Sequence, residues 1–296
     1  MEWMVQGMVR EKSVRQFDKD VRDNKGYLYT NTDQLSSRLA NQRWQVALAE
    51  LVNLKGKRIL DLGCGDGTYT LKLLDQKPAF LMGVDASKMA VRLASQKAAG
   101  NRKVRFKALD IYKAGSLGGK FDVVILRGVL HHLYDPEKAI AVVSKLAPLT
   151  IVIEPNGYNP VLKLLEKFSR YHIEHEEKSF FPPVLDRWFE KQGGKVERSF
   201  YAGLVPFFCP DWMARILKIA EPIVEKVPLI REMSCAVYVF KVTRVKPSAV
   251  SRSRFFPFDE LRPCNPGNRP SRRCPGSGWR PPRSGREKEG TKVPKA

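Results

Sequence analysis

The sequence predicts an α/β fold built on a doubly wound, largely parallel sheet. Short apolar runs alternate with helical segments between residues 54 and 155, and this alternation is typical of parallel strands joined by right-handed helical crossovers. A glycine-rich turn directly follows the first apolar run. Four of the runs end in a polar residue, namely Asp61, Asp85, Asp110 and Arg127. Because parallel strands end at the same edge of a sheet, these residues should lie near one ligand site.

The length of 296 residues and the hydrophobic content of 43% suit one large domain with appendages. No apolar run approaches the roughly 20 residues that a membrane-spanning helix needs, and the first ten residues are too short and polar for a secretory signal. The five cysteines are scattered and form no C-x-x-C pair, which indicates reduced thiols and no zinc site. We therefore expect a cytoplasmic protein.

The net charge of +21 is distributed unevenly along the chain. Residues 246–296 contain 13 Lys and Arg against 4 Asp and Glu, together with 9 of the 20 prolines. This composition predicts a disordered basic tail, which could contact nucleic acid or a membrane or could have no specific role. The predicted organisation is a helical cap over residues 1–53, a domain over residues 54–245, and the tail.

Two helices are predicted before the first strand, at residues 14–21 and 34–51. The polar, tyrosine-rich segment of residues 27–33 between them either folds over the ligand loop as a lid or forms a surface connection. The first strand, at residues 58–62, leads through the glycine turn into a helix at residues 70–74.

The next elements follow from apolar patterning and from capping residues. Ser87 is a helix N-cap, Gly100 ends the same helix, and Pro136 stands near the start of another helix, where proline is favoured. The predicted strands cover residues 79–85, 103–109, 121–126 and 149–153, and the predicted helices cover residues 87–99 and 136–146.

The glycine turn has the spacing G-x-G-x-G, with Thr68 at the position where the phosphate-binding pattern has its last glycine. This departure argues against a pyrophosphate cradle and leaves room for a nucleoside that carries an amino acid. Asp85 follows Gly67 by 18 residues, and in doubly wound sheets a carboxylate at this distance accepts hydrogen bonds from ribose hydroxyls.

Together these motifs resemble the class I S-adenosylmethionine-dependent methyltransferases, in particular those that act on quinones, lipids and other small metabolites. The similarity covers about residues 40–155 and extends more loosely to about residue 243. The motifs are Ile-Leu-Asp-Leu-Gly-Cys-Gly-Asp-Gly at 59–67, Gly-Val-Asp at 83–85, Leu-Asp-Ile at 109–111, Phe-Asp-Val-Val at 121–124 and Leu-His-His-Leu at 130–133.

The resemblance implies that S-adenosylmethionine is the cofactor and assigns roles to several residues. The glycine turn would lie along the methionine part, Asp85 would bind the ribose, and Asp110 would accept from the adenine amino group. Arg127 departs from the family, which often has a small or amide residue there. The implied cofactor-binding residues are Asp61, Gly63, Cys64, Gly65, Asp85, Ala86, Asp110, Ile111 and Arg127.

The same resemblance accounts for the remaining elements and implies seven strands. A sixth strand is expected at residues 195–205, a helix at 211–218, and a closing strand at 234–242 that runs antiparallel between the fifth and sixth. The insert of residues 206–233 is apolar and partly amphipathic. It could form a substrate wall, a patch in contact with a membrane, or a helix that covers the sheet edge.

The histidines are the candidate catalytic groups, because a general base is needed when the acceptor loses a proton during transfer. His132 resembles the base of some O-methyltransferases, and His131 is the second candidate; a structural role is the alternative for both. His172 and His175 form a dense cluster with glutamates that could bind a metal, contact the substrate or end a solvated helix. No metal site is predicted, since no distant third ligand is evident.

The acceptor is expected to be a small, partly apolar metabolite that is methylated on oxygen or carbon. The loop of residues 127–130 lacks the Asn-Pro-Pro-Tyr-like sequence of enzymes that methylate the amino groups of bases or glutamine. The alternatives are an RNA or protein methyltransferase that uses the basic surface and a non-catalytic S-adenosylmethionine-binding protein. A nicotinamide oxidoreductase would need G-x-G-x-x-G, which is absent.

Overall fold

The computed structural model describes residues 16–19, 21–23, 26–27, 29–30, 33–169, 178–207 and 209–245. These described residues belong to one compact unit, and the account below concerns this unit. The predicted basic tail, residues 246–296, and the histidines His172 and His175 lie outside the described residues.

The sheet has seven strands in the order β3-β2-β1-β4-β5-β7-β6. Strands β1 to β5 are parallel, and β7 pairs antiparallel with both β5 and β6. The predicted fold class is therefore confirmed, including the antiparallel strand between the fifth and sixth. The strands are β1 Arg58–Leu62, β2 Phe80–Asp85, β3 Val104–Ala108, β4 Val123–Arg127, β5 Leu149–Pro155, β6 Gly194–Ala202 and β7 Val237–Arg244.

The helices follow capping signals that the sequence contains. The side chains of Ser87, Asp135 and Asn159 each accept a hydrogen bond from a backbone N–H in the first turn of the helix that follows. The α-helices with defined bounds are α1 Leu35–Leu51, α2 Thr68–Lys72, α3 Lys88–Lys97, α4 Pro136–Val143, α5 Pro160–Phe168, α6 Pro182–Lys191, α7 Asp211–Val224 and α8 Ile230–Ser234. Residues 16–19 and 21–23 are also helical. Short 3₁₀ turns cover Leu73–Gln76, Ile111–Ser116 and Leu130–His132.

The apolar insert differs from the prediction in its boundaries. Helix α7 continues past residue 218 to Val224 with Pro222 inside it. The extra turn contains Glu221, whose carboxylate accepts a hydrogen bond from the backbone N–H of Leu204 at 3.0 Å. The closing strand begins at Val237, because the residues before it form helix α8.

The core lies on both faces of the sheet. Along β1 and β4, successive side chains pack into two different apolar clusters, as expected for parallel strands covered by helices on both sides. Leu60 and Val124 pack in one cluster, whereas Ile59 and Val123 pack in the other with Leu48 of α1.

A largely buried ion pair joins α1 to Glu225, the residue that follows α7. Arg43, 8% exposed, donates from Nε and Nη2 to the two carboxylate oxygens of Glu225 at 2.8 and 2.7 Å. Glu225 also accepts from the backbone N–H of Gly203 at 2.8 Å. Since removing one partner of a buried pair leaves the other charge uncompensated, this contact ties the insert to the domain. Among the described helices, none has both the length and the apolar character needed to cross a membrane.

Substitution of Phe240 tests the position of β7 inside the sheet. Its ring is fully buried, with centroids 5.5 Å from Phe189 and 5.0 Å from Tyr238. We expect Phe240→Ala to lower the free energy of unfolding by about 3–5 kcal/mol, the cost of a large cavity. Denaturant titration measures this loss, and Val46→Ala on the exposed side of α1 is the control. A loss below about 1 kcal/mol for Phe240→Ala would contradict the buried position.

Candidate cofactor and active site

The turn after β1 has a backbone conformation that requires glycine. Gly63 has φ +76° and Gly65 has φ +54°. A Cβ atom on Gly63 would lie 2.3 Å from Cγ2 of Val129, and one on Gly65 would lie 2.6 Å from Cε2 of Tyr27. Both contacts are too short for carbon atoms, so the backbone approaches its neighbours more closely than any other residue allows.

Asp85, at the end of β2, is held by two backbone groups. Its Oδ2 accepts from the N–H of Gly65 and its Oδ1 from the N–H of Ser87, both at 2.9 Å. An ionised carboxylate has about four acceptor positions, so two remain for a ligand. Burial raises the pKa of Asp85 to about 6, although the two backbone hydrogen bonds lower it.

A cavity of about 540 Å³ opens beside this turn. It brings together residues from the carboxyl ends of β1, β2 and β4 and from the loop after β3, as the doubly wound topology predicts. The predicted site residues that line it are Gly63, Cys64, Gly65, Asp85, Ala86, Asp110, Ile111, Arg127, His131 and His132.

Asp61 is the predicted cofactor residue that does not line this cavity. It is buried behind the glycine turn, where its Oδ2 accepts from Oγ1 of Thr70 at 2.6 Å. Burial raises the pKa of Asp61, whereas the charge of Arg127 and the hydrogen bond from Thr70 lower it. The structure therefore gives Asp61 a contact that joins β1 to α2, and its contact with the cofactor stays a prediction.

Arg127 ends β4 at the cavity wall. Its guanidinium lies over the ring of Tyr69, 4.5 Å from the ring centroid, and burial lowers its pKa while the charge of Asp61 raises it. Asp110 begins the 3₁₀ turn after β3, and its Oδ1 accepts from the N–H of Tyr112 at 2.8 Å. Ile111 follows it and is nearly buried.

His131 is oriented by a buried carboxylate that the sequence analysis did not single out. Nδ1 of His131 lies 2.7 Å from Oε2 of Glu154, at the end of β5. Oε1 of Glu154 accepts from the backbone N–H groups of Val129 and Leu130, each at 2.8 Å. In the sequence, the role of Glu154 is indicated only by the position of an acid near the end of a strand. Glu154 thus holds the backbone of the loop after β4 and also orients the imidazole of His131.

His132 lies beside His131, with ring centroids 3.9 Å apart. The ring of Phe17 meets His132 edge to face at 5.0 Å. Both imidazoles line the cavity, so the structure brings the two predicted catalytic histidines together.

Aromatic side chains from distant parts of the chain complete the cavity wall. The ring of Tyr29 lies 4.8 Å from that of Phe207, which is 5.7 Å from that of Trp44. Oγ1 of Thr30 donates to Oδ2 of Asp66 in the glycine turn at 2.9 Å. This hydrogen bond holds the described part of the N-terminal segment against the glycine turn. This arrangement agrees with the lid alternative for the described residues of that segment. The aromatic residues of the wall are Phe17, Tyr27, Tyr29, Tyr69, Trp44, Tyr112, Tyr134 and Phe207.

The donor set fits the cofactor that the resemblance implies. The glycine turn lines the cavity, and Asp85 has carboxylate positions available for hydroxyl groups. Within the described ranges, which exclude His172 and His175, no group of three or more metal-ligating side chains occurs.

Residues 53–197 match a family model described as a methyltransferase domain. A solved complex between the Haloferax volcanii Trm112 methyltransferase activator and a methyltransferase contains a chain with the same fold. The TM-score is 0.56 at 17% identity, over 78% of this chain and 98% of that chain.

Several curated relatives are named tRNA U34 carboxymethyltransferase. The protein of Desulfotalea psychrophila is 30% identical over 122 residues, which cover 40% of this chain and 38% of the relative. The protein of Alcanivorax borkumensis is 29% identical over 163 residues, which cover 51% of this chain and 49% of the relative. The chain thus matches half or less of the length of these relatives.

The raised pKa of Asp85 predicts a pH dependence of S-adenosylmethionine binding. Ribose hydroxyls need the ionised carboxylate, and a pKa of about 6 means that this form is lost as the pH falls through 6. We expect the dissociation constant to rise about tenfold between pH 7.5 and pH 5, measured by calorimetric titration. Asp85→Asn should bind at least about tenfold more weakly at pH 7.5, with little pH dependence. Wild-type affinity that stays constant over this range would contradict the ribose assignment.

Proposed function

We propose that the chain is a class I, S-adenosylmethionine-dependent methyltransferase that acts through the domain of residues 53–197 and methylates a small, partly apolar molecule on oxygen or carbon. The observation that carries this proposal is the aromatic wall of the cavity. Aromatic rings bind apolar parts of a ligand, and a concave site lined largely by apolar and aromatic side chains is typical of small-molecule binding. Among the described lining residues, the Lys and Arg side chains are Arg127 and Lys178.

We assign the cofactor contacts as the resemblance implies, with Asp61 left out. The turn from Gly63 to Gly65 would hold the methionine part, and Arg127 would attract the carboxylate at its amino-acid end. Asp85 would accept from the ribose hydroxyls, while Asp110 and Ile111 would contact the adenine. The support is that these side chains meet at one cavity.

When bound, S-adenosylmethionine supplies an electrophilic methyl group on a sulfonium sulfur. The residues of the chain must therefore align the acceptor atom, exclude water and, for a hydroxyl or carbon acid, remove a proton. The aromatic side chains of the wall would position the acceptor and shield it from solvent.

We assign proton removal to His131, with His132 as the second candidate, which reverses the order that the sequence favoured. The carboxylate of Glu154 at Nδ1 favours the tautomer in which Nδ1 carries the proton. Nε2 of the same ring can then accept a proton from the acceptor, as in other carboxylate–histidine pairs. His132 would contact the acceptor beside Phe17.

A second candidate acceptor is tRNA. The name that several curated relatives share favours it, and so does the net charge of +21, since basic proteins bind phosphate backbones. A base turned out of its stack could occupy an aromatic cavity. The limited coverage of the relatives and the few cations at the cavity weigh against it.

The acceptor class is tested by transfer of a labelled methyl group. We expect the purified full chain to transfer tritium from methyl-labelled S-adenosylmethionine to lipid-soluble phenols or quinones and to leave total tRNA unlabelled. Asp85→Asn is the control for dependence on the cofactor site. Label in tRNA, removed by ribonuclease, would favour the second candidate and contradict the first.

The role of His131 is tested with the acceptor that this assay identifies. His131→Ala should lower kcat by about 100-fold or more, the usual contribution of a general base, with unchanged cofactor affinity. Glu154→Gln should also lower kcat and should shift its pH profile, because the imidazole loses its charged partner. His132→Ala is the matched variant. If it causes the larger loss in kcat, His132 is the base and our order is wrong.

A further inference from the structure

Three helices on this domain expose long apolar side chains. In α5, the exposed fraction reaches 78% at Phe168, and no residue of this helix is buried. In α7, Trp212 is 65% exposed and Ile219 is 79% exposed. We call these residues the apolar face: Val161, Leu164, Leu165 and Phe168 of α5, Trp212, Ile216, Ile219 and Ile223 of α7, and Leu229, Ile230 and Met233 at α8. Their spacing of three or four residues places them along one side of each helix.

The parts of the apolar face are adjacent in the fold. Nδ2 of Asn159, the N-cap of α5, donates to the backbone oxygen of Ser234 at the end of α8 at 3.1 Å. Nδ2 of Asn156 donates to the oxygen of Glu232 at 2.7 Å. Helix α7 in turn contacts α8. Exposed apolar surface that extends over neighbouring helices usually marks an interaction site.

The charges around the apolar face favour an anionic partner. Lys167, Arg215 and Lys226 are exposed. Glu221 and Glu225, on or next to α7, are instead turned inward to backbone N–H groups and to the basic side chains of Lys218 and Arg43.

The third acid, Glu166 of α5, accepts from Ser179 and Lys163. Asp211 at the start of α7 is exposed, and Glu232 of α8 is partly exposed. Three of the acids at these helices are thus paired within the fold, whereas Lys167, Arg215 and Lys226 are exposed beside apolar side chains.

We propose that the apolar face binds the surface of an anionic membrane. Helices that lie in the membrane interface combine large apolar residues on one side with flanking Lys and Arg, and the partner is recognised by apolar insertion together with charge. Helix α5 also lines the cavity through Leu162 and Glu166. If the proposed function holds, the acceptor is therefore an amphipathic molecule that reaches the cavity from the lipid phase.

The test is co-sedimentation of the full chain with vesicles. We expect binding to phosphatidylcholine vesicles with about 30% phosphatidylglycerol and at least about tenfold weaker binding to pure phosphatidylcholine. The triple variant Leu164→Ser, Phe168→Ser, Ile219→Ser should bind the anionic vesicles at least about tenfold more weakly. Val46→Ser, exposed on α1, should bind as the wild type does. Because the tail is present in every variant, its contribution cancels.

A second measurement detects insertion directly. Brominated lipids should quench the fluorescence of Trp212, and Trp212→Phe should remove this part of the quenching.

Equal vesicle binding by the wild type and the triple variant would overturn the proposal and assign the binding to another part of the chain. No binding by the wild type would also overturn it. A dimer that the triple variant loses, without vesicle binding, would make the face a contact between two copies. None of these readouts requires methyl transfer, so the proposed function is tested separately.

Discussion

The arrangement of the site depends on the turn that joins β1 to α2. Gly63 and Gly65 adopt positive φ values, and the space that their Cβ atoms would need is occupied by Val129 and Tyr27. Val129 belongs to the loop after β4, and Tyr27 belongs to the N-terminal segment. The absence of two Cβ atoms thus determines how closely three separate parts of the chain meet at the cavity. A substitution here would disturb the backbone and both neighbours together.

A second constraint is the buried carboxylate of Glu154. Removing a carboxylate from water costs free energy unless hydrogen bonds satisfy its oxygens. Two backbone N–H groups, of Val129 and Leu130, and the imidazole of His131 do so. The same contacts therefore stabilise the loop after β4 and orient the candidate base. The conformation of the loop and the orientation of the ring cannot vary independently.

The sequence predicted what local patterns determine. Apolar runs located the strands, and polar residues at their ends, such as Asp85 and Asp110, predicted the edge of the sheet where the cavity lies. Local patterns do not show which partner a buried side chain contacts, so the sequence does not predict the hydrogen bond between Asp61 and Thr70. The sequence offered parts of the aromatic wall only as alternatives, namely a lid at residues 27–33 and a substrate wall in the insert of residues 206–233. The complete wall depends on contacts between residues far apart in the chain, as between Trp44 and Phe207, and no local pattern encodes these.

Helix α5 connects the cavity with the surface of the molecule. It has no buried residue, so its apolar side chains contribute little to the core. Its position is instead maintained by polar contacts, through Asn159 at its start and through the hydrogen bond from Ser179 to Glu166. Because Glu166 also lines the cavity, displacement of the helix at its outer surface would alter the cavity wall. A partner that binds the exposed side of α5 is therefore in a position to influence how an acceptor enters.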